Sequence, residues 1–195
     1  MKIRTYNLFL VLILVVLCNC VFAETEQEQE YKVKAAFIYN FIKFIEWPPT
    51  KLTDEKTISV GIIGSNSFGK SFEPIENKKI GEKTIAIEMF NSIDQFKLTG
   101  KQIDNIRKCH VLFICGSEKK QFKEIINIIK DHNVLTVGDT KGFLESGGII
   151  NFLIEDQKVS FEINNYIAKQ SKLNVRSQLL RLAKKVVEEK SKDGN

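Results

Sequence analysis

"CHVLFICGSEKKQFKEIINIIKDHNVLTVGD", residues 109–139, decides the fold class of this chain. His110–Gly116 is an apolar run of strand length, and Val134–Asp139 is a second. Between them Phe122, Ile125, Ile126 and Ile129 recur at helical spacing, and Ser117 is placed to cap the helix. Strands this apolar, joined through a helix, belong to a sheet with parallel strands and both faces covered.

The pattern extends in both directions. Thr57–Gly64 and Lys83–Phe90 read as two earlier strands, with a loop and short helix over 65–75 and a loop or helical turn over 92–100. Residues 147–164, "GGIINFLIEDQKVSFEIN", read as two strands joined at Glu155-Asp156-Gln157, a hairpin. Asn164 is placed to cap a helix through Lys169. A last helix is expected from about Asn174, with Val175, Leu179, Leu182 and Val186 on one stripe. The expected fold is α/β: a mostly parallel sheet with helices on both faces, an N-terminal apolar helix, and a C-terminal β-hairpin plus two helices.

The chain has 195 residues. Lys2 and Arg4 precede the apolar run Leu8–Leu17, and Val21 and Ala23 sit three and one residues before Glu24. That is the pattern of a secretory signal peptide over 1–23, cut near Ala23. An uncleaved anchor is the alternative, although the run is short for a membrane span. Lipid attachment at Cys18 or Cys20 is disfavoured by Leu17 and Asn19, which stand where a small residue is wanted. The remaining organisation reads as a polar leader over 24–30, one α/β domain over 31–188, and a polar tail over 189–195. Removing Lys2 and Arg4 takes the net charge from +5 to about +3. The basic residues are spread out and Lys outnumbers Arg, so the chain lacks a nucleic-acid footprint.

Tyr31–Glu46 reads as a helix stopped by Trp47-Pro48-Pro49, because a residue before proline is pushed out of the helical region. On a helical wheel Val33, Phe37, Phe44, Phe41, Ile45, Ile38, Ile42 and Ala35 fill an arc of roughly 200°. A surface helix needs less, so this one is expected to be sandwiched in the core or covered in part by a partner protein. Lys34 falls within the apolar arc. An unpaired buried charge is costly, so a carboxylate partner is expected, with Glu162 in the hairpin as the candidate.

Recognisable catalytic machinery does not stand out. The glycines of "GIIGSNSFG", Gly61, Gly64 and Gly69, lack both the dinucleotide fingerprint and the Lys-Ser/Thr of a phosphate loop. There is no Gly-x-Ser-x-Gly elbow. The two histidines, His110 and His132, form no metal-ligand spacing with Cys109 and Cys115. Those cysteines bracket a strand spanning about 20 Å, against the separation of about 7 Å that a disulfide tolerates, so they are not expected to pair with each other. Asp139 ends a strand, where doubly wound folds bind ligands, and it equally suits a turn. Glu162 and Asn164, two residues apart, share one face of the hairpin as a buried polar network or a ligand site. A small-ligand-binding domain using the strand ends near Gly64 and Asp139 therefore stands as an alternative reading, and a hydrolase with a dispersed site as a third.

Two stretches together resemble the YfiR family of periplasmic proteins. "YKVKAAFIYNFIKFIEWP", 31–48, resembles that family's opening. Downstream, Gly147-Gly148-Ile149-Ile150-Asn151-Phe152, then Phe161-Glu162-Ile163-Asn164, then Leu173 through Gln178-Leu179-Leu180-Arg181-Leu182-Ala183 resemble its C-terminal half, and "CHVLFI" fits between. The resemblance implies a periplasmic repressor without a catalytic site, cofactor or metal. It implies binding to the periplasmic domain of an inner-membrane diguanylate cyclase, which lowers cyclic-di-GMP and biofilm formation. It further implies release by an outer-membrane lipoprotein or redox stress, and a homodimer. The expected partner-binding residues are Glu162, Asn164 and Arg176, with Phe152, Ile163 and Leu180 lining a neighbouring groove and Lys34 and Trp47 in support.

Overall fold

A computed structural model describes residues 26–52, 56–64, 69–93, 98–156 and 158–189. The expected signal peptide and tail lie outside them, apart from Glu189, as does Gln157 of the hairpin turn. Helix α1 (Glu26–Phe44) opens the described chain and runs into a two-residue strand, β1 (Ile45–Glu46). A short helix α2 (Pro49–Leu52) follows, then β2 (Thr57–Ile63), α3 (Gly69–Phe72), a 3-10 turn (Glu73–Ile75), β3 (Lys79–Ile80) and β4 (Lys83–Phe90). Helix α4 (Gly100–Lys108) leads to β5 (Val111–Ile114), and a 3-10 segment (Gly116–Gln121) leads to α5 (Phe122–Ile129) and β6 (Leu135–Gly138). The C-terminal part is β7 (Ile150–Glu155), β8 (Lys158–Asn164), α6 (Asn165–Gln170), β9 (Asn174–Val175), α7 (Ser177–Leu182) and β10 (Lys185–Val187).

The large sheet has the order β10-β8-β7-β6-β5-β2-β4-β3. Pairing is parallel except at the hairpin β7–β8 and at β3–β4. The mixed α/β architecture with a mostly parallel sheet is thus the one the sequence pattern implies. β1 pairs separately and antiparallel with β9, tying the end of α1 to the C-terminal unit.

Alternation along the central strands divides the core in two. Ile58, Val60 and Ile62 of β2, with Val111 and Phe113 of β5, face Ala35, Ile38, Phe41 and Ile42 of α1. Ile63, Leu112 and Ile114 face the other way, against Ile106 of α4 and Phe122, Ile125 and Ile129 of α5. Phe41 is fully buried, with its ring 5.6 Å from Phe152 and 4.9 Å from Phe161, so α1 locks the hairpin to the parallel strands. On the opposite face Phe143 lies over two glycines. A side chain's first carbon at Gly138 or Gly148 would come within 2.6 or 2.2 Å of that ring.

Several local expectations are corrected. The first helix stops at Phe44 rather than Glu46, since Ile45 and Glu46 gain backbone partners in β9. Its buried stripe is narrower than the apolar arc: Phe37 and Phe44 are half-buried and Val33 is 43% exposed. Ser117 does not cap α5; it lies in the 3-10 segment and its hydroxyl donates to Glu118 Oε1. Helix α4 follows the expected loop or helical turn over 92–100, in a stretch given no element from the sequence, and is started by the reciprocal cap of Thr99 and Gln102. The last helix ends at Leu182, and Lys185–Val187 form a strand beside β8 instead of a further turn.

Because Phe41 contacts both halves of the sheet, Phe41→Ala is expected to lower unfolding free energy by about 3–5 kcal/mol. Chemical denaturation followed by circular dichroism measures it, and a loss below about 1 kcal/mol would show that α1 is not part of the cooperative core.

Candidate functional site

Strand alternation positions the carboxylate of a buried ion pair. Val137 faces α1, so Asp139, two residues on, emerges on the same side just past the end of β6. There its Oδ2 accepts from Lys34 Nζ at 2.7 Å and from the Tyr31 hydroxyl at 2.9 Å. The Lys34 and Asp139 side chains are 2% and 6% exposed. Glu30, one turn before Lys34 on α1, also approaches the ammonium, and the ammonium lies 4.3 Å from the centre of the Tyr31 ring. Burial, then the Asp139 charge, pushes the Tyr31 phenol well above its ordinary range, so it stays a protonated donor.

The expected Lys34–Glu162 pair is not formed. Phe161 and Ile163 face α1, so period-two alternation turns Glu162 to the opposite side of the sheet. It nevertheless reaches the same polar chain. The Thr140 amide donates to Asn151 Oδ1 at 3.1 Å, and Asn151 Nδ2 donates to Glu162 Oε1 at 3.1 Å. Asn151 is 1% exposed, and this bonding explains how an amide sits in the interior of β7.

This cluster lies at the carboxyl ends of β2, β5 and β6, where open α/β sheets commonly receive ligands. Here the first turns of α1 lie over it. Gly64 at the end of β2 has φ +138, and a side chain there would come within 2.5 Å of Cys115 Cβ. The Cys115 thiol is pushed up to about 12 by burial, then by the charges of Asp139 and Glu118. Cys109, buried on the other face of the sheet, is pushed up to about 11, chiefly by burial. Both thiols are free and lack the thiolate character that nucleophilic chemistry requires. Among the described residues no group of three His, Cys, Asp or Glu side chains is placed to hold a metal ion. No described helix is long and apolar enough to cross a membrane.

A second polar cluster caps the other end of α1. Glu46 accepts from Arg176 Nε at 2.8 Å and from Asn174 Nδ2 at 2.7 Å. Arg176, then Asn174, holds the Glu46 carboxyl below the usual carboxylate range. The Arg176 backbone amide also donates to the Phe44 carbonyl at 2.9 Å. Leu180, one turn further along α7, is half-buried, and Leu182 is 68% exposed.

The residues singled out from the sequence therefore separate. Arg176 and Leu180 share α7 and the segment entering it, against the end of α1, where Arg176 bonds Glu46, the residue before Trp47. Trp47 itself is 8% exposed, with its ring 6.0 Å from that of His110. Phe152 and Ile163 are 2% and 0% exposed, so they belong to the interior rather than to an open groove. Asn164 caps α6 by accepting from the Ile167 amide at 3.0 Å, as expected. Glu46, Tyr31 and Asp139 were not assigned these partners from sequence. Tyr31 at three residues before Lys34 was the available signal for a shared helix side.

A doubly wound α/β domain closed by an N-terminal helix is the class this geometry defines. The sequence profile of the YfiR/HmsC-like family matches residues 31–184, and the chain belongs to that family. It is a family of regulators of cyclic-di-GMP signalling rather than of catalysts, and its proteins generally act with a diguanylate cyclase. No curated protein matches the chain. Solved structures share the fold, among them two of low identity. A conserved domain protein from Vibrio cholerae O1 biovar El Tor is 9% identical, with a TM-score of 0.55 over 80% of this chain and 60% of that one. The ABC domain from Streptococcus pneumonia in complex with L-Trp is 12% identical, with a TM-score of 0.52 over 66% of this chain and 55% of that one.

Two outcomes follow from the buried pair and the buried thiols. Asp139→Leu leaves Lys34 without its main counter-charge and is expected to cost about 3–5 kcal/mol, whereas Lys34→Met combined with Asp139→Leu recovers most of that. A double variant no more stable than the single one would contradict the ion-pair account. Cys109 and Cys115 are expected to react with a thiol reagent at pH 8 only as fast as the chain opens, and rapid labelling of the native protein would show that the thiols are accessible.

Proposed function

We propose that this chain is exported, cleaved near Ala23, and acts in the periplasm as a repressor of an inner-membrane diguanylate cyclase. It binds the cyclase's periplasmic domain, lowers cyclic-di-GMP synthesis and restrains biofilm formation. An outer-membrane lipoprotein releases it, and it works as a homodimer. The family to which residues 31–184 belong supports the regulatory role.

One observation carries the choice of surface: Leu182 stands 68% exposed at the end of α7, two residues after half-buried Leu180, which itself lies one turn past Arg176. An apolar side chain held outside the core, on a helix whose N-cap position carries a paired arginine, has the makings of a binding anchor. Arg176 and Leu180 form the centre of the proposed surface, with Leu182 added. Glu162 and Asn164 contribute from the hairpin, where both are half-buried. Phe152 and Ile163 support it from beneath, and Trp47 and Lys34 hold α1 in position. Repression requires tighter binding to the inactive than to the active form of the cyclase, since equal binding shifts no equilibrium.

Tagged protein incubated with detergent-solubilised membranes of the source organism should recover a diguanylate cyclase with a periplasmic domain. Arg176→Glu with Leu182→Asp should reduce recovery at least about tenfold and change stability by less than about 1 kcal/mol, because the Glu46–Arg176 pair is exposed. Undiminished recovery would move the surface elsewhere. Failure of the unmodified protein to recover any cyclase would count against the repressor.

A further inference from the structure

We propose that the cleft between α2, the end of α4 and the turn before β6 is a binding site for a tetrahedral oxyanion of the phosphate or sulfate class. It lies at the amino ends of β5 and β6, the end of the sheet opposite Asp139. The cleft has a volume of about 500 Å³ and is lined by Lys51, Arg107, Lys108 and His132 together with Asp104 and Asp131.

These cations are more than scattered surface charges. Lys51 Nζ donates to the Arg107 carbonyl at 2.9 Å and to the His132 carbonyl at 3.0 Å, which holds its ammonium between the end of α4 and the turn. Arg107 Nε donates to the Ile128 carbonyl at 3.1 Å, which orients the guanidinium. Asp104 lies 3.6 Å from Arg107 Nη1 and is 65% exposed, so it offsets that charge only weakly. Asp131 and Asn133 both have positive φ, 67° and 54°, and this tight turn presents His132 between them at the cleft.

Burial lowers the His132 imidazole below its ordinary range, and Arg107 and Lys51 lower it further, outweighing the opposing pull of Asp131 and Asp104. The lining thus sets three permanent cations and a titratable ring against two carboxylates, an excess of positive charge. An oxyanion seated among them relieves it and accepts hydrogen bonds from ammonium, guanidinium and imidazole groups. The anion favours charged His132 and raises its pKa. Affinity is therefore greatest below the pKa of the free chain and falls as pH rises through the higher pKa of the complex. The same chemistry is offered by a soluble phosphate ester and by a lipid headgroup, and Trp47, which contacts His110 at the start of β5, lies at this same end of the sheet.

The test is a sulfate titration of the purified protein followed by the imidazole NMR signals, since sulfate keeps its charge through the neutral range. His132 should shift saturably while His110, 0% exposed, stays as an internal reference. Lowering pH should tighten binding. His132→Gln should weaken it about tenfold. Lys108→Gln, which removes an exposed side chain and leaves the pinned Lys51 in place, should weaken it at least about threefold. A second arm uses phosphatidylglycerol vesicles. Vesicle binding that Lys108→Gln reduces identifies a headgroup as the anion's source, and sulfate binding without vesicle binding identifies a soluble anion. A linear, non-saturating shift, or affinity unchanged in both variants, overturns the proposal.

Discussion

A single buried ion pair, Lys34 with Asp139, sets how the rest of this molecule is assembled. Lys34 is 2% exposed, and a solitary ammonium in that position would cost more than its methylenes could return by packing. Asp139 is available only where β6 ends, and only on the side that Val137 faces. Satisfying the charge therefore fixes both the rotation of α1 about its axis and its position along the sheet. Tyr31 reinforces the same register through a second hydrogen bond to Asp139. Once α1 is seated, Phe41 meets Phe152 and Phe161, and the C-terminal hairpin is joined to the parallel strands.

That arrangement bears on function. The strand ends that serve as a ligand crevice in many open α/β sheets are here overlain by the chain's own N-terminal helix. The polar groups at that end are satisfied internally, through Lys34, Asp139, Thr140, Asn151 and Glu162. The surface proposed for a macromolecular partner lies instead at the far end of α1, where Arg176 and Glu46 join the first helix to α7 and Leu182 is left outside. A regulator of cyclic-di-GMP signalling needs surface for a protein partner more than it needs a reaction centre, and the family assignment agrees with that distribution.

The parallel sheet was legible because its strands are nearly all apolar and separated by helices, as residues 109–139 show. Asn164 as a helix cap was legible for the same local reason. What escaped depended on distant backbone pairing. Ile45–Glu46 and Lys185–Val187 look helical in isolation, and only β9 and β8 make them strands. Helix α4 was hidden because Gln102, Asp104 and Asn105 dilute its apolar stripe; its capping box was the readable signal. The need of Lys34 for an acid was readable from its place on the wheel, but choosing Asp139 over Glu162 required knowing which sheet face α1 covers. Phe152 and Ile163 were recognisable as grouped apolar residues, yet their sequence could not tell a lined groove from a closed core.

Hydrogen–deuterium exchange of the protein, alone and mixed with the periplasmic domain of the cyclase recovered from its own membranes, tests the central claim most directly. The account predicts slowed exchange in Ser177–Leu182 and in the β1–β9 pair, with the Asp139 end of the sheet unchanged. Protection confined to the Asp139 end, or no protection anywhere, would contradict it.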